Sequence, residues 1–335
     1  MQLFHRFVQQ LIVIDMSSVV CVIGSSNTDM VIKGNKLPAP GETVIGGTFL
    51  MNPGGKGANQ AVAAARLAAV VQPGIDTSTT VMFVANVGND IFGRQALQQF
   101  EREGIRTDFV TTDADEPSGV ALIGVDSQGE NCIMVASGAN ARLDQAQVAL
   151  ALATTDESSV VLLQLETPIP TVEYAIRQSH ERGMRVVLNP APAHPLNPAV
   201  LACLHVITPN ETEAELLTGV RVADEVTAQQ AAQHLHEAGV PNVVITLGSR
   251  GAYLSTPSGA SMIAAPPVTA LDTTAAGDCF NGALAVAIAE GLDLPDAVAF
   301  ACKAASISVT RMGAQASLPH RHEVDALPLL TVQPL

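Results

Sequence analysis

The chain contains no tryptophan, and aromatic residues make up only 3% of its 335 positions. A site that grips a nucleoside by ring stacking has little to draw on. No run of 18 apolar residues occurs, so no transmembrane helix is expected. Basic residues are also scarce. Seventeen Lys and Arg stand against 32 Asp and Glu, giving a formal charge of −15, and they form no basic patch of the kind nucleic-acid binders show. An acidic chain of this kind that handles phosphate must rely on backbone amides and a metal ion. The five cysteines, Cys21, Cys132, Cys203, Cys279 and Cys302, are far apart and include no CxxC pair. They read as reduced thiols of a cytoplasmic protein, not as a disulfide frame or a zinc site.

Several catalytic signatures are missing too. There is no GxxxxGK[ST] loop, no GxGxxG fingerprint and no HExxH. The eight histidines have no metal-ligand spacing, and His320 and His322 read as a solvated tail. Residues 1–15 form an N-terminal extension. Arg6, with no acid before Asp15, gives a faint transit-peptide signature, but serine and further arginines are missing. Met16 is an alternative start, because a strand begins just after it.

What is present is an alternation. Apolar runs of strand length (18–24, 81–88, 160–166, 185–192, 204–210 and 242–248) are followed by loops, and from 160 onward by helical patterns. That order predicts a parallel sheet with helices on both faces, with ligands at the carboxyl ends of its strands. Helices are expected over 57–69 and 90–104, the second ending on Gly104. Two stretches, 41–52 and 118–138, alternate as antiparallel strands do, the second around a turn at "DSQGE". Too short for a separate domain, they read as a β flap of about 27–52 and 118–138 on a single domain spanning 16–330. The polar stretch 70–80 reads as a surface insertion.

The stretch "LDTTAAGDCFNGALAVAIAEG" places Asp278 where a small-residue loop becomes an apolar helix. A helix-terminal acid is complete in itself, stabilised by roughly 0.3–1 kcal/mol. Yet Ala275, Ala276 and Gly277 leave the backbone open to a ligand, and free amides at a helix start bind anions. An anion site beside a carboxylate suits phosphoryl transfer: the amides hold the phosphoryl charge and the carboxylate takes the attacking alcohol's proton. In "MNPGGKGANQA", Gly54, Gly55 and Gly57 surround Lys56 at another loop-to-helix junction, which is also explained by a glycine-rich helix start with an exposed lysine. Asn27 and Asp29 share one side of an extended segment and suit sugar hydroxyls, or else are turn residues. Thr208 and Glu211 read as a capping box with Pro209 at the first helical position. That leaves Asn210 and Glu213 unexplained, and an acid there could face the water shell of Mg²⁺. The run 243–254 reads as a hairpin with a glycine-containing turn.

Taken together, "NPGGKGANQAVAAARL", "NETEAE", "TLGSRG", "DTTAAGDCFNGAL" and "VTRMGAQAS" resemble, in order, the blocks of the ribokinase-like, or phosphofructokinase B, family of carbohydrate kinases. The resemblance covers about 19–327; the family more often has threonine where Cys279 stands. It implies a three-layer α/β/α fold with a mostly parallel sheet and a β lid. It implies ATP-dependent phosphorylation of D-ribose at O5, with fructose or a nucleoside such as adenosine as alternative substrates. A sugar-binding regulator without turnover is the reading from another class. Asp278 would be the base, and the amides of Ala275, Ala276 and Gly277 the anion hole. Asn27, Asp29, Gly55, Lys56, Gly57, Asn59 and Glu166 would hold the sugar. Asn210, Thr246, Gly248, Ser249, Gly251, Gly277 and Cys302 would line the ATP site. Glu213 would orient Mg²⁺-bound water. A K⁺ ion would be held by Asp272, Thr274, Ser308, Gly313, Ser317 and the Arg311 carbonyl. A homodimer paired through the lid is expected.

Overall fold

The computed structural model describes residues 18–68 and 79–335. The 1–15 extension and most of the 70–80 stretch lie outside the described residues. At the centre is β1 (Ser18–Ile23), whose inner residues Val20, Cys21 and Val22 are fully buried. A strand buried on both faces needs apolar residues at every position, hence the unbroken apolar run. It lies between β4 (Thr79–Gly88) and β8 (Val160–Leu163), parallel to both. Beyond β4 comes β5 (Arg106–Asp113), and beyond β8 come β9 (Arg185–Leu188), β10 (Val206–Ile207) and β11 (Val243–Thr246), all parallel. Three antiparallel strands, β12 (Ala252–Thr256), β13 (Gly259–Ile263) and β14 (Val332–Pro334), complete a ten-stranded sheet. The hairpin expected over 243–254 is thus β11–β12, while β14 carries the domain past residue 330.

Side chains alternate across this sheet into two cores. Val20 and Val22 enter one, with α1 (Lys56–Leu67), α2 (Ile91–Arg102), α8 (Ala276–Ala289), α9 (Leu294–Ser308) and α10 (Arg321–Asp325). Cys21 and Ile23 enter the other, with α3 (Gln145–Leu152), α4 (Ile169–Glu181), α5 (Pro198–Leu201), α6 (Glu211–Thr218) and α7 (Glu225–Glu237). The chain runs from β1 outward to β4 and β5, then returns to β1's other side at β8. This switch of direction opens a crevice at the carboxyl ends of β1 and β8.

A second sheet has the order β3 (Thr48–Gly54), β2 (Asn27–Lys33), β6 (Gly119–Val125), β7 (Asn131–Ala136). Its two central strands are parallel and its outer pairs antiparallel. The turn at Asp126–Glu130 closes β6 onto β7 as expected. Residues 41–47, however, are not strand. Gly46 and Gly47 both adopt φ of 103, outside the range a strand accepts, and the lid strand starts only at Thr48.

Two further expectations are corrected. The capping box of α6 is built by Asn210 and Glu213: the Asn210 side chain accepts from the Glu213 N–H at 2.8 Å, and Glu213 Oε2 accepts from the Asn210 N–H at 2.9 Å. Thr208 instead turns inward and donates to Asn281 Oδ1 at 2.6 Å. His320 and His322 are exposed, as expected, but the segment is a helix start and not a tail. His320 caps α10, and Val324 is anchored in the core.

The close approach of α1 to α8 depends on Gly282. A Cβ built there would lie 2.6 Å from Ala63 Cβ and 2.8 Å from the Gln60 carbonyl. Gly282→Ala should therefore separate the helices and destabilise the fold by about 1–3 kcal/mol. Urea unfolding measures this, and an unchanged midpoint would contradict so tight a contact.

Candidate active site

Asp278 is the third residue of α8 and is 6% exposed. Its Oδ2 accepts from Asn59 Nδ2 at 2.9 Å, and its Oδ1 from Gln60 Nε2 at 3.0 Å. Both donors belong to α1, brought within reach by the Gly282 contact. Ala275, just before the helix, has φ of 58, and no side chain caps α8. It is the one non-glycine residue with positive φ among the described residues, a strained conformation of the kind found at ligand clamps. The first intrahelical bond runs from Cys279 N–H to the Ala275 carbonyl, so the N–H groups of Gly277 and Asp278 precede it, without helical partners. A Cβ at Gly277 would meet nothing within 4 Å, so this helix end faces open space.

Lys56 begins α1. Gly55, at φ 88, turns the chain into the helix, and a Cβ at Gly57 would come within 2.5 Å of the Ser25 nitrogen. These two glycines let the loop press against the end of β1. Glu166 follows β8; its Oε2 accepts from Ser25 Oγ at 2.6 Å and from the Lys56 N–H at 3.0 Å. Asn27 opens β2, and its Oδ1 accepts from Asn140 Nδ2 at 2.8 Å. Asp29 sits against Gly54, where a Cβ would come within 2.2 Å of Oδ2. The fold therefore brings Asn27, Asp29, Lys56, Asn59, Glu166 and Asp278 close together.

The electrostatics are unusual. Burial drives the Asp278 carboxyl above its ordinary range; Lys56 and the Asn59 and Gln60 amides oppose this, and Glu166 adds to it. Burial would lower the Lys56 ammonium, yet Asp278, Glu166, Glu213 and Asp29 outweigh it and hold it above normal. Asp29 is pushed up to about 6, first by burial and then by Glu166 and Asp278, against Lys56. One cation thus serves a ring of carboxylates.

Around the rim, the Asn210 backbone bridges Thr246, whose N–H bonds the Pro209 carbonyl at 3.0 Å. Gly248 and Ser249 lie exposed between β11 and β12, and at Gly251, with φ 95, an added Cβ would lie 2.0 Å from the Ile263 carbonyl oxygen. Asp272 Oδ1 accepts from the Thr274 N–H and hydroxyl, and Oδ2 from the Gly313 N–H at 2.8 Å, so the 272–274 and 311–317 loops are joined. Burial works against ionisation of Asp272, but those bonds outweigh it and keep its carboxyl low. Ser308 and Ser317 are buried beside this junction, and the Arg311 guanidinium is paired with Glu323. Cys302 departs from the expected nucleotide contact. It is 4% exposed within the core, and burial pushes its thiol up to about 12. An apolar surround suits so small a side chain better than a cleft does.

Ser25, Gln60, Asn140, Asn189 and Asn281 were not anticipated. Asn281 was the most accessible of these, lying one turn from Asp278 on the same face of the helix. Gln60 stands out only as a polar residue inside an alanine-rich helix.

Because the folded-state pKa of Asp29 is raised, its protonated form favours folding. That contribution is present below the ordinary 3.8 and is lost as pH rises through about 6. Wild type should gain roughly 2–3 kcal/mol over Asp29→Asn as pH falls from 7.5 to 4. Urea melts at the two pH values measure this difference; an unchanged difference would contradict the strained ionisation of Asp29.

Comparison with known proteins agrees with this geometry. Residues 17–321 match the model of the pfkB family carbohydrate kinases. The ribokinase of Haemophilus influenzae is 44% identical over 308 residues, covering 92% of this chain and 97% of that protein. The crystal structure of ribokinase from Thermotoga maritima superposes with TM-score 0.80 at 38% identity, covering 92% of this chain and 98% of the other. Arabidopsis thaliana ribokinase, complexed with ribose and ATP, superposes with TM-score 0.81 at 30% identity, covering 92% and 97%. A Rossmann-like crevice, a β lid, a helix-terminal carboxylate and a match this long together place the chain in the pfkB family of carbohydrate kinases.

Proposed function

We propose that this protein transfers the terminal phosphoryl group of ATP to O5 of D-ribose. The observation that carries the proposal is the buried Asp278 carboxylate, held by two neutral amides beside unpaired helix N–H groups. In the proposed reaction the primary hydroxyl gives its proton to Asp278 as its oxygen bonds to the γ-phosphorus. The bond from that phosphorus to ADP breaks, and the amides of Gly277 and Asp278 meet the charge on the phosphoryl oxygens, the Ala276 N–H being bonded to the Thr273 carbonyl at 3.2 Å. Asn27, Asp29, Lys56, Asn59 and Glu166 supply the mixed donors and acceptors that sugar hydroxyls require. Support for ribose comes from the names and bound ligands of the relatives and from the polar, aromatic-poor crevice. Fructokinase and adenosine kinase activities are the competing readings within the fold. A binder without turnover would gain little from a buried base.

Asn210, Thr246, Gly248, Ser249 and Gly251 form the proposed nucleotide edge. Magnesium fits as an ion carried on the phosphates. Glu213 spends one oxygen on the Asn210 N–H, which leaves the other for metal-bound water, and the ion would neutralise phosphate charge that this acidic chain cannot. A monovalent cation fits the Asp272–Gly313 junction. Arg66 Nη1 donates to the Gln315 and Leu318 carbonyls at 2.7 and 3.0 Å, fixing that loop on α1. With Arg311 turned to Glu323, only its carbonyl is left for a cation. The homodimer is proposed through the lid, where Ile32, Phe49 and Met134 are 54%, 58% and 67% exposed, more apolar sheet than a monomer usually shows. Sedimentation velocity should give a dimer, and a monomer at all concentrations would remove that element. A cytoplasmic location accords with free thiols at all five cysteines and with the absence, among the described residues, of a helix able to cross a membrane.

The test is ADP release from MgATP with ribose, 2-deoxyribose, fructose and adenosine, with and without K⁺. Ribose should turn over fastest and K⁺ should stimulate it. Faster adenosine or fructose turnover would overturn the substrate assignment. Asp278→Asn should still bind ribose and lose at least ~10² in kcat; near-normal turnover would remove Asp278 as the base.

A further inference from the structure

Gln60 lies entirely inside the protein, with no exposed surface. Buried amides are stabilising only when their donors and acceptors are met. Its Nε2 spends one hydrogen on Asp278 Oδ1 at 3.0 Å and the other on Asn189 Oδ1 at 3.0 Å. Its Oε1 accepts from Gln164 Nε2 at 2.5 Å. These partners also fix which end of the amide is which. A flipped Gln60 would set its oxygen against the Asp278 carboxylate and the Asn189 carbonyl, and its nitrogen against the Gln164 donor. Asn189 is tethered in turn by its Nδ2 to the Thr208 carbonyl at 3.5 Å, and Thr208 bonds Asn281, whose Nδ2 donates to the Gly277 carbonyl at 2.8 Å. A chain of uncharged groups therefore runs beneath the crevice. It begins at Gln164, the residue just after β8, passes Gln60, and ends at the residue beside the base. Nothing charged belongs to the chain itself.

Resting on the reading of Asp278 as the base, we propose that Gln60 is the positioning residue for that base. It fixes the carboxylate plane through Oδ1 and leaves the remaining lone pairs of the carboxylate to face the sugar hydroxyl. The physical point is the neutrality of the clamp. An arginine or lysine in its place would hold Asp278 as firmly but would weaken it as a proton acceptor, since an adjacent cation favours the carboxylate form. An amide's hydrogen bond also lowers the carboxyl, but it adds no charge beside it, and Asn59 does the same for Oδ2. The charged groups facing Asp278 are Lys56 on α1, Glu166 after β8, Glu213 on α6 and Asp29 on the lid. None of them is altered by substituting Gln60, so a change in the acid limb reports the group at position 60.

The decisive variants are Gln60→Glu, close in shape, and Gln60→Met, close in volume. Gln60→Glu keeps an acceptor for Gln164 but sets a second carboxyl against Asp278, so the two must share a proton. Its kcat–pH profile should show an acid limb moved up by at least one pH unit, with the ribose KM within about threefold of wild type. Gln60→Met should lose at least ~10-fold in kcat with a similar KM, because the base is present but unfixed. Circular dichroism and ribose binding establish that each variant is folded, and if Gln60→Met is not, Gln60→Glu decides alone. A folded Gln60→Glu with wild-type kcat and an unmoved acid limb would overturn the proposal, as would a loss confined to KM. Asp278→Asn is assayed alongside. If it turns over normally, the reading of the base fails; if it is inactive while both Gln60 variants match wild type, only the positioning role fails.

Discussion

The arrangement depends on keeping a carboxylate charged inside the protein without giving it a salt-bridge partner of its own. A bare buried carboxylate is expensive, and proteins usually respond by pairing it or protonating it. Here the cost is spread over two neutral amides, a helix terminus and one lysine that faces several acids at once. Each contribution is partial. Together they leave Asp278 ionisable yet still basic, as a proton acceptor must be. In the proposed reading the same logic lets an acidic chain handle a nucleotide's phosphates, with backbone dipoles carrying the charge that scarce lysines cannot.

Close backbone packing makes this possible. Gly57 lets the start of α1 press against the end of β1, and Gly282 lets α8 lie against α1. Without those contacts Asn59 and Gln60 would not reach Asp278. Both glycines thus act on the geometry around Asp278 by letting backbone segments approach closely. The lid contributes differently. Asp29 and Asn27 come from β2, at the root of the small sheet, so in the proposed reading any movement of the lid would carry the sugar contacts with it.

Much of this was legible in the sequence because it rests on local signals. Asp278 announced itself as an acid at a loop-to-helix junction, and the Gly55–Lys56–Gly57 turn by its glycines. The parallel sheet followed from unbroken apolar runs. What was not legible depends on contacts distant in sequence. The capping box was assigned to Thr208 and Glu211, one turn pattern among two that the segment allows. The structure chose Asn210 and Glu213 because Thr208 is drawn inward by Asn281, 73 residues away. Residues 41–47 alternate like a strand, but left-handed glycines at 46 and 47 keep them out of the sheet. Gln60, Asn189 and Gln164 could not be foreseen as a chain, since only the fold brings α1 and the ends of β8 and β9 together. Cys302 was placed at the nucleotide by position along the chain, whereas its helix turns it into the core.

The most direct measurement is a crystal structure of the protein with ribose and a non-hydrolysable ATP analogue. The account predicts the sugar's O5 within hydrogen-bond distance of the Asp278 carboxylate, with the γ-phosphoryl oxygens facing the first N–H groups of the Ala276–Ala289 helix. A complex in which the primary hydroxyl points away from Asp278, or in which the phosphoryl group lies elsewhere than at that helix terminus, would contradict it.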